Sequence, residues 1–272
     1  MPHFVGSAGW NIPRAHRERF APDGSQLQRY ASRLNAAEIN SSFYRPHAAA
    51  TYERWAAAVP AHFRFAVKVP KAITHDAGLL RARQPLTRFL GEIAGLGPKL
   101  GPLLVQLPPS FAFEPRRIAR FFELLRALHT GPVVCEPRHA TWTSPAVVAA
   151  LHAFRIARVA ADPPRAAGLE TPSGWPGMVY YRWHGSPRPY FSPYTSGALD
   201  TLATAMRAQN ADTWCIFDNT GSGSAAGNAI DLMTRLEADA PVTPPDNPAR
   251  SARTHAPAEN AARARASTRR AR

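Results

Sequence analysis

The chain has 272 residues, 45% of them hydrophobic and 10% aromatic, which supports a large core and excludes a mostly disordered protein. Its formal net charge is +14, and only Lys68, Lys71 and Lys99 among its 33 basic residues are lysines. No run of 18 uncharged apolar residues occurs and the first residues lack a basic-then-apolar pattern, which argues against a membrane span and a signal peptide.

The first strand-like run, Phe4–Trp10, is followed by a helix signal over Gln26–Leu34 with Ser25 as its cap. The second, Ala36–Asn40, precedes Thr51–Val59, where Tyr52, Trp55 and Ala56 fall at i, i+3 and i+4. The third, Phe63–Lys68, precedes Leu86–Leu96 with Pro85 near its start. After the fourth, Leu103–Leu107, Pro115 begins a segment with Ile118, Phe121, Phe122 and Leu125 on one face. The fifth, Val133–Glu136, precedes Ala146–Phe154, opened by Ser144 and Pro145. The sixth, Ala157–Asp162, runs into a proline- and glycine-rich stretch ending at Pro176, so its helix is expected to be lost or shortened. The seventh and eighth are Met178–His184 and Trp214–Asn219; Ser224 then caps a helix over Ala225–Leu236. Alternating strands and helices predict a parallel sheet, and eight units predict a TIM-like (β/α)8 barrel over residues 1–240. A doubly wound open sheet is the rival, without a Gly-x-Gly-x-x-Gly after the first strand to support a dinucleotide site.

Residues 241–272 hold seven arginines, two acids, one valine and no leucine, isoleucine or aromatic residue. This composition predicts a disordered basic tail, able to contact nucleic acid without a selected partner being implied. Cys135 and Cys215 read as free thiols of a cytoplasmic protein.

Strand parity carries the functional signal. Glu38 and Asn40 share a face, as do Ala66 and Lys68, and Tyr180, Arg182 and His184. Val134, Glu136 and Arg138 do the same if strand geometry reaches that far, while Gln106 and Asp218 end the fourth and eighth runs. Turn chemistry explains Gly, Asn, Asp or Ser at strand ends, but not Lys68, Glu136, Arg182 and His184. The carboxyl-end mouth of a barrel does, because active sites sit there.

Seven stretches in order resemble the YecE-like family of domain-of-unknown-function proteins (family 72). They are Gly6–Trp10, Ala37–Arg45, Phe65–Lys68 with Ile73–His75, Gln106–Phe111, Glu136-x-Arg-His-x-x-Trp142, Tyr181-x-x-His-Gly185 and Phe217-x-Asn219. The resemblance covers about Val5 to Leu236 and implies a TIM barrel without a settled reaction. Asp218 stands where asparagine is expected, and Ala8 where a hydroxyl residue is usual.

The expected catalytic set is Glu38, Lys68, Glu136, His184 and Asp218. Glu38 and Glu136 are candidate general acids or bases, although Glu38 and Arg182 could equally form a structural ion pair. A depressed pKa would make Lys68 a Schiff-base nucleophile, but its acidic neighbours are expected to keep it charged. The expected substrate-binding set is Trp10, Asn40, Tyr44, Arg45, His75, Gln106, Arg138, His139, Trp142, Asp162, Arg182, Tyr194 and Asn219. Its arginines suit phosphate or carboxylate; its aromatics suit stacking or plain packing. The stretch Gly221–Gly227 is a candidate phosphate loop or an ordinary flexible loop. No cofactor is required by the sequence. The reading is an acid–base enzyme for a small anionic molecule. A metal-dependent hydrolase or isomerase using a divalent ion, and a non-enzymatic ligand or nucleic-acid binder, are the alternatives.

Overall fold

A computed structural model describes residues 1–238 of the chain; the expected tail at 241–272 lies outside the described residues. The strands are β1 His3–Ser7, β2 Ala36–Ile39, β3 Arg64–Lys68, β4 Leu100–Gln106 and β5 Val133–Glu136, followed by β6 Ile156–Arg158, β7 Ala160–Asp162, β8 Ser173–Gly174, β9 Met178–Trp183 and β10 Asp212–Phe217. β2, β3, β4, β5 and β6 pair in that order, all parallel. β7 pairs with β9, β9 with β10 and β10 with β1, again all parallel. The ring closes where Ala8 bridges Glu38 in parallel and the Gly9 N–H donates to the Glu38 carbonyl at 2.8 Å. One interruption, at Val159, divides the sixth barrel strand into β6 and β7. The former half faces β5 and the latter faces β9. The molecule is therefore an eight-stranded TIM-like barrel. β8 lies outside the ring, as a two-residue antiparallel addition to β6.

Helices α1 Gln26–Ala31, α2 Ala49–Ala57, α3 Arg83–Ile93, α4 Pro115–Leu128 and α5 Pro145–Ala153 follow the first five strands. α6 Ser196–Arg207 and α7 Ser224–Ala238 follow the last two. Among the described residues, Asp162 to Pro176 contains no helix, as its proline and glycine content predicts. α6 carries no signal singled out above; its start is fixed by the Thr195 hydroxyl, which accepts from the Ala198 N–H at 3.3 Å. α1 is shorter than its predicted span but keeps the Ser25–Gln28 capping box.

Side-chain alternation sorts the interior into two cores. Ala36, Ala66, Leu104, Val134, Ala157, Met178, Tyr180, Trp214 and Ile216 fill the barrel lumen. Val5, Ile39, Val67, Val105, Cys135 and Phe217 point outward and pack under the helices. Two residues beyond Ala36, Ala66, Leu104, Val134, Tyr180 and Ile216 come Glu38, Lys68, Gln106, Glu136, Arg182 and Asp218. Period-two geometry thus continues the apolar lumen into a layer of polar side chains at the carboxyl ends.

Candidate functional site

Arg182 is the centre of this layer and is 0% exposed. Its Nη2 lies 2.8 Å from Glu38 Oε1 and 3.0 Å from Asp218 Oδ2, and its Nη1 lies 3.3 Å from Glu136 Oε2. Tyr180, two residues back on the same strand face, donates to Glu38 Oε2 at 3.0 Å. The structural Glu38–Arg182 pair envisaged from sequence is thus present. Gln106, opposite Glu136 in the β4–β5 register, donates to Glu136 Oε2 at 2.9 Å.

His184 continues the β9 face. Its Nε2 is 3.0 Å from Glu136 Oε1 and its Nδ1 is 3.1 Å from Asp218 Oδ2. A neutral imidazole donates through one nitrogen only, so carboxylates at both favour the doubly protonated ring. Burial lowers the pKa of His184, yet Glu136 and Asp218 outweigh that and raise it. Burial pushes the other way on Glu136 and Asp218, and Arg182 with His184 still holds both below the usual carboxylate range. Arg182 is likewise driven up by Asp218, Glu38 and Glu136 against its own burial.

The three carboxylates are not equivalent. Both oxygens of Glu38 accept from Arg182, and both oxygens of Glu136 are engaged. Asp218 meets Arg182 and His184 through Oδ2 alone. Its side chain is 9% exposed, against 0% for Glu38 and 1% for Glu136. Among the described residues, Asp218 Oδ1 is the one carboxylate oxygen of the layer without a hydrogen bond.

Lys68 ends β3 with its Nζ over the Phe43 ring, 4.0 Å from the centroid. No carboxylate of the described residues lies within ion-pair distance of it. Its pKa is lowered to about 8, by burial first and then by Arg182, against the pull of Glu38, Glu136 and Asp218. Desolvation outweighs the acids because they already serve Arg182 and His184.

The remaining expected residues divide into a rim and a set of braces. Arg138 lies just past β5, with Nε 3.8 Å from Glu136 Oε1 and without a hydrogen bond, while its Nη2 donates to the Tyr190 hydroxyl at 3.1 Å. His75 sits edge-on to Phe43 at 5.0 Å, its pKa lowered by burial and then by Lys68 and Arg138. The buried Asn40 Oδ1 has no partner. Tyr44 is 76% exposed and Arg45 is also exposed. The Tyr194 hydroxyl bonds the Asp162 carboxylate at 2.8 Å and accepts from the Gly185 N–H, while Asn219 Nδ2 bonds Ser192 and Asn228. These three therefore hold the loops together. Trp142 is fully buried, with its indole N–H on the Phe111 carbonyl. Trp10 packs edge-on against Trp55 and Phe65, and His139 accepts from the Thr141 N–H. In the Gly221–Gly227 stretch the Gly221 and Gly223 N–H groups are already bound to Tyr190 and Thr220 carbonyls. Two participants were not proposed from sequence. Tyr180 had the right parity and could have been; Tyr190, in an irregular loop and edge-on to His184 at 5.8 Å, had no periodic signal.

A closed parallel barrel with a charged layer at its carboxyl ends defines a (β/α)8 barrel protein. The chain belongs to the family described as protein of unknown function DUF72, whose model matches residues 4–252. It is 29% identical to the UPF0759 protein YecE of Escherichia coli (strain K12) over 125 residues, 46% of this chain and 44% of that relative, so the match spans under half of YecE. It is 22% identical to the UPF0759 protein YunF of Bacillus subtilis (strain 168), covering 86% of this chain and 94% of YunF. A crystal structure of a DUF72 family protein from Enterococcus faecalis superposes with a TM-score of 0.74 at 22% identity, covering 87% of this chain and 96% of that one. No helix among the described residues is long and apolar enough to cross a membrane.

Proposed function

We propose that the protein is an acid–base enzyme acting on a phosphate- or carboxylate-bearing small molecule at the carboxyl-end mouth of the barrel. The observation that carries this reading is the pairing of Lys68, a cation without an ion-pair partner and with a pKa of about 8, with the unbonded Oδ1 of Asp218 in the same layer. A proton-transfer group works best when its pKa lies near the operating pH. Lys68 meets this condition. Arg138, with its free Nε, and ammonium-form Lys68 would receive the substrate's anion. Asp218 Oδ1 would accept a hydrogen bond from the reacting hydroxyl or amine. Glu38, Glu136, Arg182 and His184 would act as the fixed field that holds Asp218 ionised and Lys68 in place. The donor set favours this over a divalent metal: the oxygens of Glu38 and Glu136 are taken, and among the described residues no three His, Cys, Asp or Glu side chains form a ligand set.

The depressed Lys68 pKa also supports a second reading, in which its neutral amine attacks a substrate carbonyl. Borohydride trapping separates the two, because only the imine is fixed covalently on Lys68.

Thermal unfolding of the full chain with phosphate, sulfate, dicarboxylates, sugar phosphates or divalent metals tests the proposal. A ligand at 100 times its Kd stabilises by about 2.7 kcal/mol, which moves Tm by several degrees at roughly 2–4 °C per kcal/mol. The expected result is stabilisation by anions that disappears in Lys68→Met. Stabilisation by metals alone would replace the reading with the metal-dependent one, and an anion response untouched by Lys68→Met would move it away from this mouth.

A further inference from the structure

A groove of about 720 Å³ runs between α3 and α4 on the flank of the barrel. Arg81, Arg83, Arg116, Arg117 and Arg120 line it, and Glu114 is the one acid among its lining residues. Glu114 is taken by Arg117 at 2.9 Å. Among the described residues no carboxylate lies within ion-pair distance of Arg81, Arg83, Arg116 or Arg120, all of which are exposed. The groove therefore holds four guanidinium groups without a counter-charge.

Local energetics make this placement costly. Arg83 is the first residue of α3 and Arg116 the second of α4; neither helix has an acid in its first turn, and the one acid beside them, the α4 cap Glu114, is spent on Arg117. Cations at the positive end of a helix dipole are unfavourable, and like charges gathered in one groove add to that. Arg81 moreover adopts φ +50°, a region that ordinary L-residues seldom occupy. A sequence that breaks local rules repeatedly at one place without compensation in the fold points to something outside the fold that compensates.

We propose that this groove binds the sugar–phosphate backbone of a single-stranded nucleic acid. The cations are spread over two helices, and Arg116 and Arg120 stand one turn apart, about 6 Å along α4. That arrangement suits a chain of phosphates rather than one pole. Guanidinium forks match phosphate oxygens in pairs, and the net charge of +14 steers such a strand toward the molecule. Phe121, the aromatic residue of the groove, is 2% exposed, so no ring is offered for base stacking and binding is indifferent to sequence. This site stands apart from the mouth and does not depend on the reaction proposed there.

The test is fluorescence anisotropy of a labelled 20-nucleotide oligothymidylate with the full chain over a series of salt concentrations. Three proteins are compared: the parent, Arg83→Gln/Arg116→Gln/Arg120→Gln, and the equally discharged Arg14→Gln/Arg17→Gln/Arg33→Gln, whose arginines are exposed elsewhere. The groove variant is expected to lower the slope of log K against log salt by roughly 2, about 0.7 for each lost phosphate contact, and the second variant to lower it by less than half as much. The thermal midpoint of the groove variant is expected to equal or exceed the parent's, which shows that lost binding is not lost folding. Equal slopes for both variants would overturn the proposal, as would no binding by the parent. So would a groove variant that keeps the strand but loses polyglutamate or inorganic phosphate.

Discussion

At the residue scale, the centre of the molecule is one guanidinium shared by three carboxylates. Removing Arg182 leaves Glu38, Glu136 and Asp218 buried without their common partner. Arg182→Met is expected to cost about 3–5 kcal/mol, read as a fall in the denaturant midpoint. The titrating groups around it set the pH profile of stability, and the sign of each can be stated. Glu136 and Asp218 have folded pKa values below their ordinary 4.5 and 3.8, so their contribution is present above that range and is lost as the pH falls through the folded values. His184 has a folded value above 6.5; its contribution is complete below 6.5 and is lost as the pH rises through the raised value. Lys68 acts in the opposite sense. Between its folded value of about 8 and an unfolded value of about 10.4, the unfolded chain binds more protons, so stability rises with pH there. His184 and the buried Cys135 and Cys215, whose folded values are raised, pull the other way in this range, so the Lys68 contribution is read as a difference. Denaturant titrations from pH 8 to 10 are expected to show the stability of the parent relative to Lys68→Met rising with pH. Parity in the sequence was enough to bring Glu38, Lys68, Gln106, Glu136, Arg182, His184 and Asp218 to one face. It could not say which carboxylate keeps an oxygen unbonded, because that depends on cross-barrel partners 142 to 144 residues apart, as for Tyr180 and Arg182 on Glu38.

At the element scale, the eight strands were legible because each is a short apolar run bounded by turn residues, and parallel pairing buries both faces. α6 was harder to read: Leu199, Leu202, Ala203 and Met206 form its buried face, but they are few and sit among small residues. Tyr194 and Asp162 show the limit for loops, since the bond that joins this strand end to a distant loop leaves no periodic signal in the sequence. Closure of the barrel rests on a close approach at Gly6. A Cβ there would lie 1.9 Å from the Ala36 carbonyl oxygen and 3.0 Å from the Tyr30 hydroxyl. Gly6→Ala must push β1 from β2, and is expected to destabilise by about 1–3 kcal/mol or more, measured by thermal or chemical unfolding. Gly9→Ala meets no atom within 4 Å and differs from it by carrying only the penalty of φ +79°.

At the scale of the whole molecule, apolar layers fill the lumen and a charged layer caps it, so the barrel both excludes water from the cluster and supports it from below. Desolvation brings the Lys68 pKa down to about 8, and Glu38, Glu136 and Asp218, turned toward Arg182 and His184, leave its ammonium without an ion-pair partner among the described residues. If the ammonium form receives the anion, affinity for phosphate or its analogues should fall as pH rises through about 8, and the fall should be absent in Lys68→Arg, whose charge persists; calorimetric titration at pH 6.5, 8 and 9.5 reads this out. The most direct test of the account follows the Lys68 amine itself. The chain has three lysines, so uniform ¹³C labelling of lysine gives three side-chain signals to follow by NMR as pH is raised, with Lys68→Arg identifying one of them. The account predicts that this signal titrates near pH 8 and moves when a bound anion is added. A Lys68 signal that titrates near its ordinary value of about 10.4 and ignores every anion would contradict it.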